Sequence, residues 1–170
     1  TPTPAPIAFI AAAPVQQILD EQKEAEVAAA SVAPRIWDSR LDQLGVFVED
    51  AQAAPGQKYW RVVDAAWRNE EESRGKHHIY VEVLDANGER IVGHPVTVTW
   101  SDGAHTGKTE DKAPPDYGFN YQMYAAGHAY NVKVDGLPSE VVKGAGMGSI
   151  ADRFRGNHTS FLLVFQETVK

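Results

Sequence analysis

The 170-residue chain has no cysteine, so neither a disulfide nor a thiolate can take part in its fold or its chemistry. Basic residues are in the minority, with 16 Lys and Arg against 23 Asp and Glu and a formal net charge of −7. A protein that binds nucleic acid or anionic lipid needs a basic face to neutralise phosphate groups. The charge balance therefore argues against both of these partners.

Long hydrophobic runs are also missing. A membrane-spanning helix needs about 20 apolar residues, and the segment PIAFIAAAPV (6–15) has only ten and carries no basic flank. We therefore expect neither membrane insertion nor a signal peptide in this segment. Because 43% of the residues are hydrophobic, the chain can still build a real core.

Three segments look like catalytic motifs but lack the spacing that the chemistry requires. GAHTGKT (103–109) has three residues instead of four before its Gly-Lys pair, and two prolines at 114–115 block the helix of a phosphate-binding loop. GAGMGS (144–149) is followed by a strand pattern and not by the βαβ unit of a dinucleotide site. In NEEES (69–73), consecutive carboxylates cannot face each other across a glycosidase cleft. We expect no enzymatic activity.

The histidines do not have the paired spacing of a zinc site. His77 and His78 are neighbours in a predicted strand, so they point to opposite faces and cannot share one ion. We predict no cofactor, with bound calcium as the one alternative, because side chains in predicted turns offer oxygen ligands, although not at EF-hand spacing. These turn residues are Asp85, Asn87, Asp102 and Asp116.

Seven segments show the alternation that is typical of half-buried strands. They are 59–67, 78–85, 95–100, 117–125, 129–135, 139–144 and 160–168. Short strands separated by Gly, Pro and Asn turns, with no helix between them, predict an all-β antiparallel sandwich. Asn87 and Gly88 both tolerate positive φ, so a type I′ turn is expected to join the second and third strands in a hairpin. The predicted core positions are Val81, Val83, Val96, Val98, Val132, Leu163 and Phe165.

The chain before the strands has a different composition. Residues 1–6 (TPTPAP) alternate Thr and Pro, which is typical of a stiff extended spacer or of a disordered terminus. Residues 15–33 are rich in Ala, Glu and Gln, and Pro14 and Pro34 suit the entrance and the end of a helix. The predicted divisions are a Thr/Pro and apolar linker over 1–14, a helical extension over 15–50 and the sandwich over 51–170.

The aromatic residues are the most informative for function. DYGFNYQMY (116–124) carries four aromatic residues, and YWRVVDAAW (59–67) carries two tryptophans. These rings either fill the sandwich interior or stand on its surface, where a sugar ring could stack on them beside Asn, Gln or Asp side chains. The second interpretation selects Trp60, Trp67, Tyr121 and Tyr124 as candidate ligand-binding residues.

Four segments carry a family likeness: KYWRVVDAAWRNEEE (58–72), GKHHIYVEVLDANGERIVGHPVTVTW (75–100), DKAPPDYGFNYQMYAAGHAYNVKVDGLPSEVVKG (111–144) and HTSFLLVFQ (158–166). Together they resemble an immunoglobulin-like accessory module of extracellular multidomain bacterial proteins, similar to carbohydrate-binding modules. The resemblance implies an immunoglobulin-like sandwich of about seven strands that is secreted or attached to the cell surface. It also implies a neighbouring catalytic or structural module in a larger chain, and it carries over no individual binding residue.

Two functions stay open from the sequence. The first is a non-catalytic extracellular module that binds polysaccharide, either a cell-wall or a plant-type glycan, through exposed aromatic residues. The alternative is a structural or assembly module whose apolar N-terminal extension docks on a neighbouring subunit or domain. A coplanar set of exposed Trp or Tyr rings would favour the first function, and an extension that pairs with another chain would favour the second.

Overall fold

The computed structural model describes residues 34–153 and 155–170, which belong to one compact unit. The predicted linker over 1–14 and the helix predicted for 15–33 lie outside the described residues. The elements are, in chain order, β1 (Ile36–Trp37), α1 (Arg40–Gln43), β2 (Phe47–Glu49), β3 (Lys58–Arg68), α2 (Glu70–Ser73), β4 (His78–Leu84), β5 (Pro95–Trp100), β6 (Gly103–Lys108), β7 (Phe119–Gln122), β8 (Tyr130–Val134), β9 (Val141–Ala145) and β10 (Ser160–Val169). The all-β class is confirmed. Neither of the two helices in this part of the chain is long enough to cross a membrane.

The ten strands form two sheets of five strands each. The first sheet has the order β1-β3-β10-β4-β7, and the second has the order β2-β9-β8-β5-β6. Each of the seven predicted strands is present, and β1, β2 and β6 are additional. Two of the additional strands have only two or three residues. The third, GAHTGK, is an edge strand that is mostly exposed and has no apolar alternation.

The core lies between the two sheets. All seven residues predicted to face inward are completely buried, and they belong to one hydrophobic cluster that draws on both sheets. This part of the prediction is confirmed because strict alternation of apolar and polar residues fixes which face of a strand is buried.

The first sheet contains both parallel and antiparallel strand pairs, whereas the sequence predicted only antiparallel pairs. β10 pairs antiparallel with β3 and parallel with β4, and β1 pairs parallel with β3. β3 and β4 run in opposite directions and follow each other in sequence, yet β10 lies between them. The parallel pairing is a consequence of this insertion.

The hairpin predicted for residues 79–100 is wrong in its pairing, because β4 and β5 belong to different sheets. At the end of β4 there is only an isolated bridge, between Leu84 and Arg90. The turn is also not type I′. Gly88 has a φ of 85°, but Asn87 does not share the positive φ that this type needs. Instead the carboxylate of Asp85 accepts hydrogen bonds from the amides of Asn87 and Glu89, at 2.9 and 2.8 Å.

Within the predicted helical extension, residues 34–50 are helical only over the four residues of α1. β1 pairs with β3 at one edge of the first sheet, and β2 pairs with β9 at one edge of the second. Arg35 ties the start of this segment to the sandwich. Its guanidinium donates to the carboxylate of Glu140 and to the backbone oxygen of Val62, both at 2.7 Å. The β structure therefore begins before residue 51, because long-range strand pairing outweighs the local helix propensity.

Candidate ligand-binding cleft

The two tryptophans predicted to bind ligand are buried in the core. Seven positions separate Trp60 from Trp67, so regular alternation would place them on opposite faces of β3. The register with β10 shifts between Val164 and Phe165, which leaves Val63 as an extra residue in β3. This β-bulge turns both indoles inward, so neither can stack on a sugar. The surface exposure on which the prediction for these two residues depends is therefore contradicted.

Tyr121 and Tyr124 lie in different environments. The Tyr121 ring is half-buried and stacks on Trp100, with ring centroids 5.6 Å apart and an angle of 26° between the planes. Tyr124 is 73% exposed. Its hydroxyl donates to the side-chain oxygen of Gln122 at 3.1 Å. Its ring and that of His77 are in an edge-to-face arrangement, with ring centroids 6.4 Å apart. The four predicted residues therefore do not form one coplanar surface.

A different group of aromatic residues lines a cleft of about 300 Å³ on the outer face of the first sheet. Its floor is a row across three strands, because Tyr80 of β4 is in register with Leu162 of β10 and with Asn120 of β7. Tyr117 lines the cleft from the loop over residues 110–118, which connects β6 to β7. Asn120 is exposed, whereas the two tyrosine rings are half-buried.

The rings in this cleft form a continuous series. His78 stacks on Tyr80 with centroids 5.4 Å apart and planes 18° from parallel, and Tyr117 follows at 6.2 Å from Tyr80. Burial raises the pKa of both phenols, so their hydroxyls stay protonated near neutral pH. Burial also lowers the pKa of His78, with the nearby His77 and Lys76 acting in the same direction. At neutral pH the series is therefore uncharged and offers ring faces together with hydrogen-bonding hydroxyls.

An ion pair between Glu82 and Arg90 anchors the loop over residues 110–118. The carboxylate of Glu82, on β4, lies 2.7 Å from the guanidinium of Arg90. Arg90 also donates to the backbone oxygens of Lys112 and Asp116, at 2.6 and 2.9 Å. One arginine thus connects a buried carboxylate of the sheet to two points of the loop, which positions the side chains that line one wall of the cleft.

Gly118 lets this loop approach the sheet closely. Its amide donates to the Glu82 carboxylate at 3.3 Å. A Cβ atom at this position would lie 3.1 Å from a Glu82 carboxylate oxygen and 3.2 Å from the Cβ of Thr109. Both separations are tighter than ordinary van der Waals contact, so a larger residue would fit only if Glu82 and Thr109 moved by a few tenths of an ångström.

Part of this cleft was visible in the sequence. The alternation in β4 predicts that Tyr80 and Glu82 face away from Val81 and Val83, and this is where the structure places them. The partners of Tyr80 were not visible, because Asn120 and Leu162 are brought beside it by pairing with strands that are distant in sequence.

The turn residues considered for calcium do not form a metal site with other described side chains. Among the described residues, no group of three or more His, Cys, Asp or Glu side chains is placed to hold a metal ion. Asp85 instead accepts hydrogen bonds from the backbone of its own turn, chiefly from Glu89, and these hydrogen bonds lower its pKa.

Comparisons with protein-family models, with curated proteins and with solved structures gave no match for this chain. Its function is therefore inferred from the residues of the cleft and from their chemistry.

Proposed function

We propose that this chain is a non-catalytic, extracellular module that binds polysaccharide in the cleft on the outer face of the first sheet. The observation that carries the proposal is that two half-buried rings and an exposed amide lie in the same cleft. The rings are those of Tyr80 and Tyr117, with centroids 6.2 Å apart, and the amide is that of Asn120. In this proposal the cleft replaces Trp60 and Trp67, which are buried, as the candidate binding site.

The chemistry of the cleft matches that of a sugar ring. A pyranose has an apolar face that packs on an aromatic ring, and a rim of hydroxyls that need both donors and acceptors. The phenol hydroxyls and the Asn120 amide supply both kinds of group. The volume of about 300 Å³ lies at the small end of ligand sites, which run from about 300 to 1,000 Å³. The cleft therefore suits a short stretch of a glycan chain.

The extracellular and bacterial context is supported by the resemblance to immunoglobulin-like accessory modules and by the Thr/Pro segment at residues 1–6. In this context the neighbouring module of a larger chain would be catalytic or structural, and the cleft would hold that module near its substrate. The ten strands and the mixed first sheet differ from the seven-strand antiparallel arrangement, so the proposal retains the immunoglobulin-like type of fold without its strand count.

The test is affinity electrophoresis of the full chain through gels that contain soluble cell-wall and plant glycans, together with pull-down on cellulose and peptidoglycan. Tyr80→Ala and Asn120→Ala should weaken binding, by about 1–3 kcal/mol for loss of the anchoring ring. Tyr124→Ala is the matched control, because it removes an exposed tyrosine that does not line the cleft.

Melting curves of the three variants distinguish loss of the ligand from loss of the fold. If Tyr124→Ala alone weakens binding, the ligand lies at a position predicted from the sequence and the cleft is the wrong site. If no polysaccharide retards the chain, the proposed function is wrong.

A second function, assembly with another subunit or domain, is supported by apolar residues on edge strands. Ile36 on β1 and Phe47 on β2 are large exposed hydrophobic residues, and each strand lies at the edge of its sheet. Exposed edges of this kind favour pairing with another chain. Sedimentation equilibrium of the full chain and of Phe47→Ser should show association that the variant loses. A monomer at all concentrations would leave no support for self-association.

A further inference from the structure

The charges around the cleft are opposite in sign to the net charge of the chain. The whole sequence carries a formal net charge of −7. The cleft, in contrast, is lined by three cationic residues, Arg68, Lys76 and Lys112, and by one anionic residue, Asp116. A local cluster of positive charge attracts anions, even on a protein that is acidic overall.

Two of these cations are available to a ligand. Arg68 and Lys76 are exposed and form no ion pair with another described residue. Glu71 and Glu72 line an adjoining groove with them, but the Glu72 carboxylate is already paired with Arg40 at 3.1 Å. Arg68 and Lys76 are therefore not neutralised by an ion pair with another described residue.

The third cation, Lys112, forms an ion pair with Glu110 that can open when a ligand binds. The Lys112 ammonium lies 3.0 Å from the carboxylate of Glu110, and the Glu110 side chain is 68% exposed. An exposed ion pair of this kind contributes little to stability, so Glu110 can turn to water when another anion approaches Lys112. The backbone of Lys112 is fixed at the same time by the hydrogen bond from Arg90.

Arg68 is close enough to act on the rings of the cleft. Burial raises the pKa of Tyr80 and of Tyr117, and the positive charge of Arg68 opposes this rise at both residues. The guanidinium therefore lies within electrostatic reach of both rings on which a sugar would stack. A sugar that rests on these rings would present its substituents to the cationic rim.

We infer that the cleft selects anionic polysaccharides, in which a carboxylate or sulfate on the sugar ring faces Arg68, Lys76 and Lys112 while the ring stacks on Tyr80 and Tyr117. This inference rests on the proposed function. The guanidinium of Arg68 offers a planar pair of donors to such a group, and each lysine offers a compact charge.

The experiment compares glycans that share a backbone and differ in whether it carries charged groups. The full chain is tested against polygalacturonate and against its fully methyl-esterified form, and in a second pair against dextran sulfate and dextran. Binding should be at least about tenfold tighter to the charged member of one pair. The pair that shows this difference identifies whether the cleft prefers a carboxylate or a sulfate. Affinity for that member should fall as salt is raised from about 0.05 to 0.5 M, because screening over about 10 Å already operates at 0.1 M.

Charge-removing variants connect this preference to the cleft. Arg68→Gln, Lys76→Gln and Lys112→Gln should each weaken binding of the charged glycan about two- to fivefold and weaken binding of its neutral partner by a smaller factor. The matched control is Lys108→Gln, which removes an exposed lysine from β6 of the second sheet. It should change neither affinity.

The outcomes separate the inference from the proposed function. Equal binding of charged and neutral glycans, or unchanged affinity in all three cleft variants, would overturn the anionic preference while polysaccharide binding stands. Tighter binding of a single-stranded oligonucleotide than of any glycan would also overturn it, because the cations would then serve a nucleic acid. Binding of no glycan would overturn both.

Discussion

Breaking the ion pair between Glu82 and Arg90 should loosen the loop that forms one wall of the cleft, although neither residue would contact a ligand. Glu82→Ala removes the carboxylate that lies 2.7 Å from Arg90 and 3.3 Å from the amide of Gly118. Arg90→Ala removes the same pair and both hydrogen bonds to the loop over residues 110–118. The two variants differ in which charge they leave behind, and this difference sets their relative effects.

The magnitude follows from the burial of each partner. Removing one member of a fully buried pair costs about 3–5 kcal/mol, whereas an exposed pair contributes about 0.2–1 kcal/mol. The side chain of Glu82 is 7% exposed and that of Arg90 is 32% exposed. In Glu82→Ala the remaining arginine can reach water, so we expect a loss of about 1–2 kcal/mol. In Arg90→Ala a buried carboxylate stays without its counter-charge, so we expect about 2–4 kcal/mol.

Urea unfolding of the parent chain, both single variants and the double variant measures these terms as a double-mutant cycle. The coupling free energy should be about 1–3 kcal/mol, and Arg90→Ala should be the less stable single variant. A coupling below about 0.5 kcal/mol, or a larger loss in Glu82→Ala, would refute the reasoning. Arg90→Ala should also weaken glycan binding, because it removes both hydrogen bonds to the loop that carries Lys112 and Tyr117.

The remaining predictions concern stability. Leu163→Ala should lower the free energy of unfolding in urea by about 2–5 kcal/mol, since this side chain is completely buried, and a loss under about 1 kcal/mol would contradict the packing. Gly88→Val should cost about 1–3 kcal/mol because the residue has a φ of 85°, and a neutral effect in the same assay would contradict the turn. The pKa of Asp38 lies below its usual 3.8, chiefly because Arg40 donates a hydrogen bond to its carboxylate. This pair therefore stabilises the fold above pH 3.8, and its contribution is lost as the pH falls through the lowered pKa. Melting temperatures of the parent chain should therefore fall more steeply below about pH 4 than those of Arg40→Met, and parallel curves would contradict this assignment.

Alternation predicted the interior of the sandwich well because it depends only on neighbours in the sequence. Val81 and Leu163 are buried as predicted, and Tyr80 lies on the outer face. The same rule would place the two tryptophans of β3 on opposite faces, whereas both are buried. Their orientation depends on a bulge opposite β10, which is a property of two paired strands and leaves no mark in either strand alone.

The candidate site was the less predictable part because it is assembled from distant segments. The anchor of its loop joins Glu82 and Arg90 to residues 112, 116 and 118. None of these residues stands out by itself, since isolated Glu, Arg and Gly residues are common in solvent-exposed turns. Only the pairing of β4 with β7, together with the ion pair between the buried Glu82 carboxylate and Arg90, shows that they act as one unit.

The position of β10 has a consequence for how the molecule forms during synthesis. β10 is central in the first sheet, yet of the strands in the described part of the chain it is the last to leave the ribosome. Until it arrives, β3 and β4 expose the edges that it will occupy, and their opposite directions allow them to pair directly with each other. The nascent chain must therefore keep this gap open or reopen it, so completion of the first sheet is expected to limit the folding rate.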